Sequence, residues 1–199
     1  MTTLAIALLI AAVTACILCG AWLSATSPTR AGFPTVTQVV LLATIAGYLL
    51  QLAVPETLEL LGRNATRSAS GEVWRIVTPL FGQDGGPVGA LFNFACLALL
   101  GGFAERLWRP GQWLLLYFGG GIASELIALW WQPVGAGNSI ANLALGGSLC
   151  ALGLRNGGAP RAAGLAGALS GVALCAMSDI HGPALLIGIG AGLALSRRP

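Results

Sequence analysis

A bundle of membrane-crossing α-helices is the fold class this chain predicts, and three features of its 199 residues predict it. Apolar residues make up 56% of the chain and charged residues 9%. A soluble domain of ordinary composition is roughly a quarter charged, so this chain cannot assemble a normal water-facing surface. Mean hydropathy is +0.81. The apolar residues also come in runs of the length that an apolar layer about 30 Å thick requires of a helix.

Seven such runs follow one another, at residues 3–24, 36–54, 88–104, 111–131, 138–154, 162–178 and 181–196. The first lacks a positively charged lead-in and is too long for the apolar part of a signal peptide, so it reads as a retained helix. Between the second and third runs lies the one long hydrophilic stretch, Pro55 to Pro87, carrying Glu56, Glu59, Arg63, Arg67, Glu72, Arg75 and Asp84. Apolar positions such as Leu58, Leu61, Trp74 and Leu80 are scattered through it, which predicts a partly structured loop lying on the membrane surface. The fourth run contains an acid, Glu125, expected as a protonated, hydrogen-bonded carboxyl or as the partner of an arginine. Trp130 and Trp131 at one end of that run, and Trp108 and Trp113 near the other, read as aromatic-belt anchors.

Arginine alone supplies the positive charge, and the net charge of +3 reads as membrane topology, with no nucleic-acid partner. An outside N-terminus places Arg30, Arg106, Arg109, Arg155, Arg161, Arg197 and Arg198 on the cytoplasmic face and leaves Arg63, Arg67 and Arg75 outside, as the positive-inside bias favours. The long loop and the starts of the fifth and seventh runs then open on the same outer side. Cys16, Cys19, Cys96, Cys150 and Cys175 all fall in apolar stretches and read as small apolar residues. The Cys16-x-x-Cys19 pair lacks the second ligand pair that a zinc site needs. Asn64-Ala65-Thr66 fits a glycosylation sequon, and no function is assigned to it because the Gly- and Ala-rich, arginine-only chain reads as bacterial.

Two polar features stand at the starts of apolar runs: the triplet Gly137-Asn138-Ser139 and the chain's single histidine, His181. A serine hydroxyl becomes a nucleophile when a nearby base accepts its proton, and His181 is the one ordinary base available. A glycine two residues before the serine lets the backbone approach a substrate carbonyl. The start of the following helix offers free N–H groups and the positive end of the helix dipole. Asn93, within Leu91-Phe92-Asn93-Phe94, is a carboxamide inside an apolar run and can supply a side-chain donor. Each also has a plainer use: Ser139 as a helix cap, His181 as a satisfied buried imidazole, Asn93 and Asn142 as contacts between helices.

Together these residues resemble the rhomboid intramembrane proteases. Gly137-Asn138-Ser139, followed by Leu143-Ala144-Leu145-x-Gly147, is similar to the family's GxS motif at the head of its fourth core helix. His181, followed by Ala184, Gly188 and Gly192, resembles the sixth core helix, in which small residues let two helices approach. Gly71-Glu72-Val73-Trp74-Arg75-Ile76-Val77-Thr78 resembles the Trp-Arg segment of the first loop. Leu91-Phe92-Asn93 and Glu105-Arg106-Leu107 resemble parts of the second core helix. A rival alignment puts Gly137 at the nucleophile's place, but the Ser139 register alone also matches Ala144, Leu145 and Gly147. The family's histidine four residues before the asparagine is replaced by Gly89, and the glycine often found after the nucleophile by Ile140.

The resemblance spans residues 36–196 and implies an all-α, polytopic membrane bundle: a six-helix core over 35–199 and one extra N-terminal transmembrane helix with its linker over 1–34. That extra helix would dock on the bundle or recruit a partner. The implied activity is cleavage of single-pass transmembrane protein clients from a wet cavity open to the outside, in a bilayer read as the bacterial plasma membrane. Ser139 would be the nucleophile and His181 the general base. Asn93 and the Ser139 N–H would hold the oxyanion, Gly137 and Asn138 would shape the motif, and Trp74 and Arg75 would support the loop. No cofactor, no metal and no third, acidic member of the catalytic set are implied. The other readings are a catalytically inactive relative that binds membrane clients, and a small transporter, against which stands the lack of an inverted repeat.

Overall fold

The computed structural model describes residues 2–26 and 35–196, so Arg30, Arg197 and Arg198 lie outside the described residues. Each of the seven apolar runs forms a helix: α1 (Thr3–Thr26), α2 (Thr35–Ala53), and, after two one-turn helices α3 (Glu56–Leu61) and α4 (Ala65–Ala69), α5 (Gly86–Leu107). The fourth run is a short α6 (Pro110–Leu114), a π-turn over Leu115–Gly119 and α7 (Gly120–Trp131). Then come α8 (Ser139–Arg155), α9 (Gly158–Ala176) and α10 (His181–Leu195). Prolines mark several boundaries: Pro55 follows α2, Pro87 lies in the first turn of α5, and Pro110 opens α6, positions where a missing N–H costs no helical bond.

Thr3–Thr26, Thr35–Ala53, Gly86–Leu107, Pro110–Trp131 and Gly158–Ala176 are long and apolar enough to cross a membrane, while Ser139–Arg155 and His181–Leu195 are apolar but shorter. Large apolar side chains such as Leu42, Val88, Leu91, Leu169 and Trp130 face outward, as expected of an integral membrane protein.

Helix α8 lies at the centre, with thirteen of its seventeen residues buried, and α1, α5, α7, α9 and α10 pack around it. Its closest neighbour is α10, and glycine makes the approach possible. A Cβ at Gly188 would lie 1.9 Å from the Ala144 carbonyl oxygen, and one at Gly147 would lie 2.3 Å from that of Leu185. The expected small-residue seam therefore brings the backbones of α8 and α10 into direct contact. Helix α1 docks on the bundle: Ala12, Ala15, Cys16 and Cys19 are buried against α8 and α9 and share one core with the rest of the chain.

One expectation is corrected. Trp108 and Trp113 are buried core residues, their indole N–H groups donating to Ser148 Oγ (3.0 Å) and the Gly101 carbonyl (3.1 Å); of the four expected anchors, Trp130 and Trp131 are the exposed pair. Glu125 pairs with Arg63 (2.6 Å), both side chains at most 4% exposed, which is the arginine partnership expected for it. Within the helical bundle two loop segments, Arg63–Asn64 (β1) and Val134–Gly135 (β2), pair antiparallel, Arg63 opposite Gly135. All five cysteines are free, four of them buried, in line with their apolar reading.

Candidate active site

The loop between α7 and α8 aims the serine, and the long loop before α5 holds that loop in place. Arg63 pairs with Glu125 and donates through Nε to the Gln132 carbonyl (2.7 Å), while its backbone joins β2. Asp84 Oδ2 accepts the Ala136 N–H (2.8 Å), and the Pro79 carbonyl accepts the Gly137 N–H (2.9 Å). Arg75, 1% exposed, ties the loop to itself through the carbonyls of Glu59 (2.6 Å) and Gly62 (2.8 Å) and through Glu72. Trp74 lies at the surface and reaches only the Leu60 carbonyl (3.4 Å). Arg75 thus braces the scaffold, and neither residue touches the serine.

Gly137 has φ +153°, a conformation side chains disfavour, and a Cβ there would lie 3.6 Å from Asn93 Nδ2 and 3.8 Å from Ser139 Oγ. Glycine keeps open the space between those two atoms. Asn138 is fully buried: Gln83 Nε2 donates to its Oδ1 (2.8 Å), and its amide donates to Tyr117 Oη (3.2 Å), which the π-turn points inward. These bonds lock the residue preceding the serine.

Ser139 is the first residue of α8, and its hydroxyl lies 2.9 Å from His181 Nε2, so it is not used as a cap. The first helical bond of α8 runs from the Asn142 N–H to the Asn138 carbonyl (2.9 Å), which leaves the N–H groups of Ser139, Ile140 and Ala141 at the dipole's positive end without helical acceptors. Asn93 Nδ2 donates to Gln83 Oε1 (2.7 Å), and Asn142 Nδ2 to the Asn93 carbonyl (2.9 Å), fixing α5 to α8 at this level. Ser139, His181, Asn93, Asn142 and Gly89 line one cavity of about 220 Å³, and Leu9 and Val13 of α1 complete its wall. A Cβ at Gly89 would meet nothing within 4 Å, so the cavity is roomy where the resemblance leads one to expect a histidine.

Two functional positions went unread in the sequence. Gln83 orients both Asn93 and Asn138 and is 1% exposed; nothing in its loop context signals this. The other is Asp179, whose Oδ1 lies 2.6 Å from His181 Nδ1 and accepts the His181 backbone N–H (3.0 Å). The resemblance implied no acid beside the histidine, yet this one is 3% exposed and in direct contact. An aspartate two residues before the chain's sole histidine was the available signal. The turn that carries it is tight: the N–H groups of Ser178 and Asp179 return to the carbonyls of Cys175 (2.9 Å) and Leu174 (3.0 Å), and Ser178 sits at φ +54°. A left-handed conformation at a residue other than glycine costs about 1 kcal/mol. Burial pushes the Asp179 carboxyl up, but the hydrogen bonds and charge of His181 outweigh it and hold the group below its ordinary value. A carboxylate accepts and cannot donate, so the imidazole proton belongs on Nδ1, and Nε2 is free to accept from Ser139.

No protein-family model and no curated protein matches this chain.

Proposed function

We propose that the protein is an intramembrane serine endopeptidase of the rhomboid kind, cleaving single-pass transmembrane clients. The reading is carried by one observation: the Ser139 hydroxyl stands 2.9 Å from His181 Nε2, 42 residues away in sequence, inside a cavity shared with Asn93. In the reaction, Ser139 Oγ attacks the scissile carbonyl carbon while Nε2 takes its proton. The oxyanion is received by the Ser139 N–H and Asn93 Nδ2 in the space Gly137 leaves free. His181 returns the proton to the departing amine as the C–N bond breaks. Water, deprotonated by the same nitrogen, then attacks the acyl carbon, and His181 passes that proton to Ser139 Oγ as the ester bond breaks and the acyl chain leaves as an acid.

The lengths of the two helices support a site within the bilayer. At about 1.5 Å per residue, the 17 residues of α8 and 15 of α10 span about 25 Å and about 22 Å, short of an apolar layer about 30 Å thick. If their far ends reach the opposite surface, the ends bearing Ser139 and His181 lie below the near one. Six core helices plus α1, a plasma-membrane location, and a cavity opening outward belong to the same proposal.

Labelling by a fluorophosphonate and cleavage of a reconstituted transmembrane client test it. Ser139→Ala and His181→Ala each lower cleavage by about 10³-fold or more while the variants still insert, and Ser139→Ala also abolishes labelling. Retained cleavage by either variant discards the mechanism. A native protein that neither labels nor cleaves would instead be a client-binding relative.

A further inference from the structure

We propose that Asp179 is a positioning residue for His181, making the site a hydrogen-bonded set of three side chains instead of two. The inference rests on the hydrolase reading for its catalytic consequence, though not for its geometry. Asp179 Oδ1 meets both the ring Nδ1 (2.6 Å) and the backbone N–H (3.0 Å) of His181, so one oxygen fixes the start of α10 and the orientation of the imidazole. The aspartate is itself held by the turn after α9, whose two backbone bonds and left-handed Ser178 leave it little freedom. At 3% exposed, it is placed where a carboxylate is costly without a partner, and among the described residues its one side-chain partner is the ring. The arrangement decides which ring nitrogen carries the proton. With Nδ1–H donated to Asp179, Nε2 presents a lone pair to the Ser139 hydroxyl; with the proton on Nε2, the ring cannot act as a base toward the serine. As Nε2 takes the serine proton, the ring becomes a cation, and the adjacent carboxylate stabilises it without receiving the Nδ1 proton.

The chain contains a single histidine, so nitrogen NMR of protein labelled with 15N-histidine and carrying no histidine tag reads this ring alone. Asp179→Ser keeps a hydroxyl able to accept the N–H two residues on, and so preserves the α10 start, but is too short to reach Nδ1. Asp179→Asn keeps shape and acceptor while removing the charge. The native protein should carry the proton on Nδ1, and Asp179→Ser should give mixed tautomers. In client cleavage, kcat should fall about 10²- to 10⁴-fold in Asp179→Ser, and at least about tenfold in Asp179→Asn, with KM within about threefold of native. A proton on Nε2 in the native protein overturns the proposal, as does unchanged kcat in a folded Asp179→Asn or Asp179→Ser. If the native protein hydrolyses nothing while the Nδ1 tautomer is present and lost in Asp179→Ser, the hydrolase reading falls and the positioning of the ring by Asp179 stands.

Discussion

Asn93 commits one amide hydrogen to Gln83 and retains a second donor on Nδ2, which borders with Ser139 Oγ the space beside Gly137. Gln83 is held in turn by a reciprocal pair of bonds with Gln51, backbone N–H to Oε1 (2.9 Å) and Nε2 to carbonyl (2.7 Å). The Asn93 amide is thus oriented from α2 through the loop. Asn93→Ala removes the donor outright and should lower kcat about 10²- to 10³-fold. Gln83→Leu leaves the donor present but unoriented, and should lower kcat by about tenfold. In both variants, a KM near native in the client assay is the expected signature of a group acting on the transition state. A loss confined to KM would place Asn93 among the client-binding residues instead.

The seam between α8 and α10 sets the 2.9 Å approach of serine to histidine, because a glycine on one helix lets it meet the backbone of the other directly. Two glycines on α10 separate this effect from helix propensity. A methyl group at Gly188 would run into the Ala144 carbonyl, whereas one at Gly190 meets open space. Gly188→Ala should therefore cost about 1 to 3 kcal/mol in a denaturation series and impair cleavage, while Gly190→Ala should be neutral or stabilise by up to about 1 kcal/mol. Equal effects at the two positions would show that the seam does not set the site. This seam was legible in the sequence, since the spacing of Ala184, Gly188 and Gly192 is a pattern along one helix. So were the helices, because the apolar runs and their prolines are local signals. The burial of Trp108 and Trp113 was not, since an indole near a helix end has the same local context whether it faces lipid or a neighbouring helix. The β1–β2 pairing and the bond from Gln83 to Asn138 join residues more than fifty positions apart and leave no periodic trace. Asp179 was hidden differently, by an implied two-residue mechanism that gave no reason to look for an acid.

At the scale of the whole molecule, α1 is part of the site although it lies outside the region of resemblance. It rests on α5, α8 and α9, with Cys16 Sγ 3.6 Å from Cys150 Sγ and Gly20 against the Phe103 ring, so its position is fixed by close packing along its length. Leu9 and Val13 consequently form the wall of the cavity facing Ser139 and His181. A larger side chain at Val13 must then intrude on a cavity of about 220 Å³ or displace α1 from α5 and α8. Ala11, exposed on the outer face of the same helix, allows the same change away from the site. Val13→Trp should slow fluorophosphonate labelling of Ser139 by about tenfold or more, and Ala11→Trp should leave it within about twofold. Helical content and elution profile of the two variants in detergent serve as the control for folding. If labelling slows equally in both, α1 acts through general stability and the cavity wall lies elsewhere. If only Val13→Trp slows it, access to the serine depends on a helix that lies outside the region of resemblance.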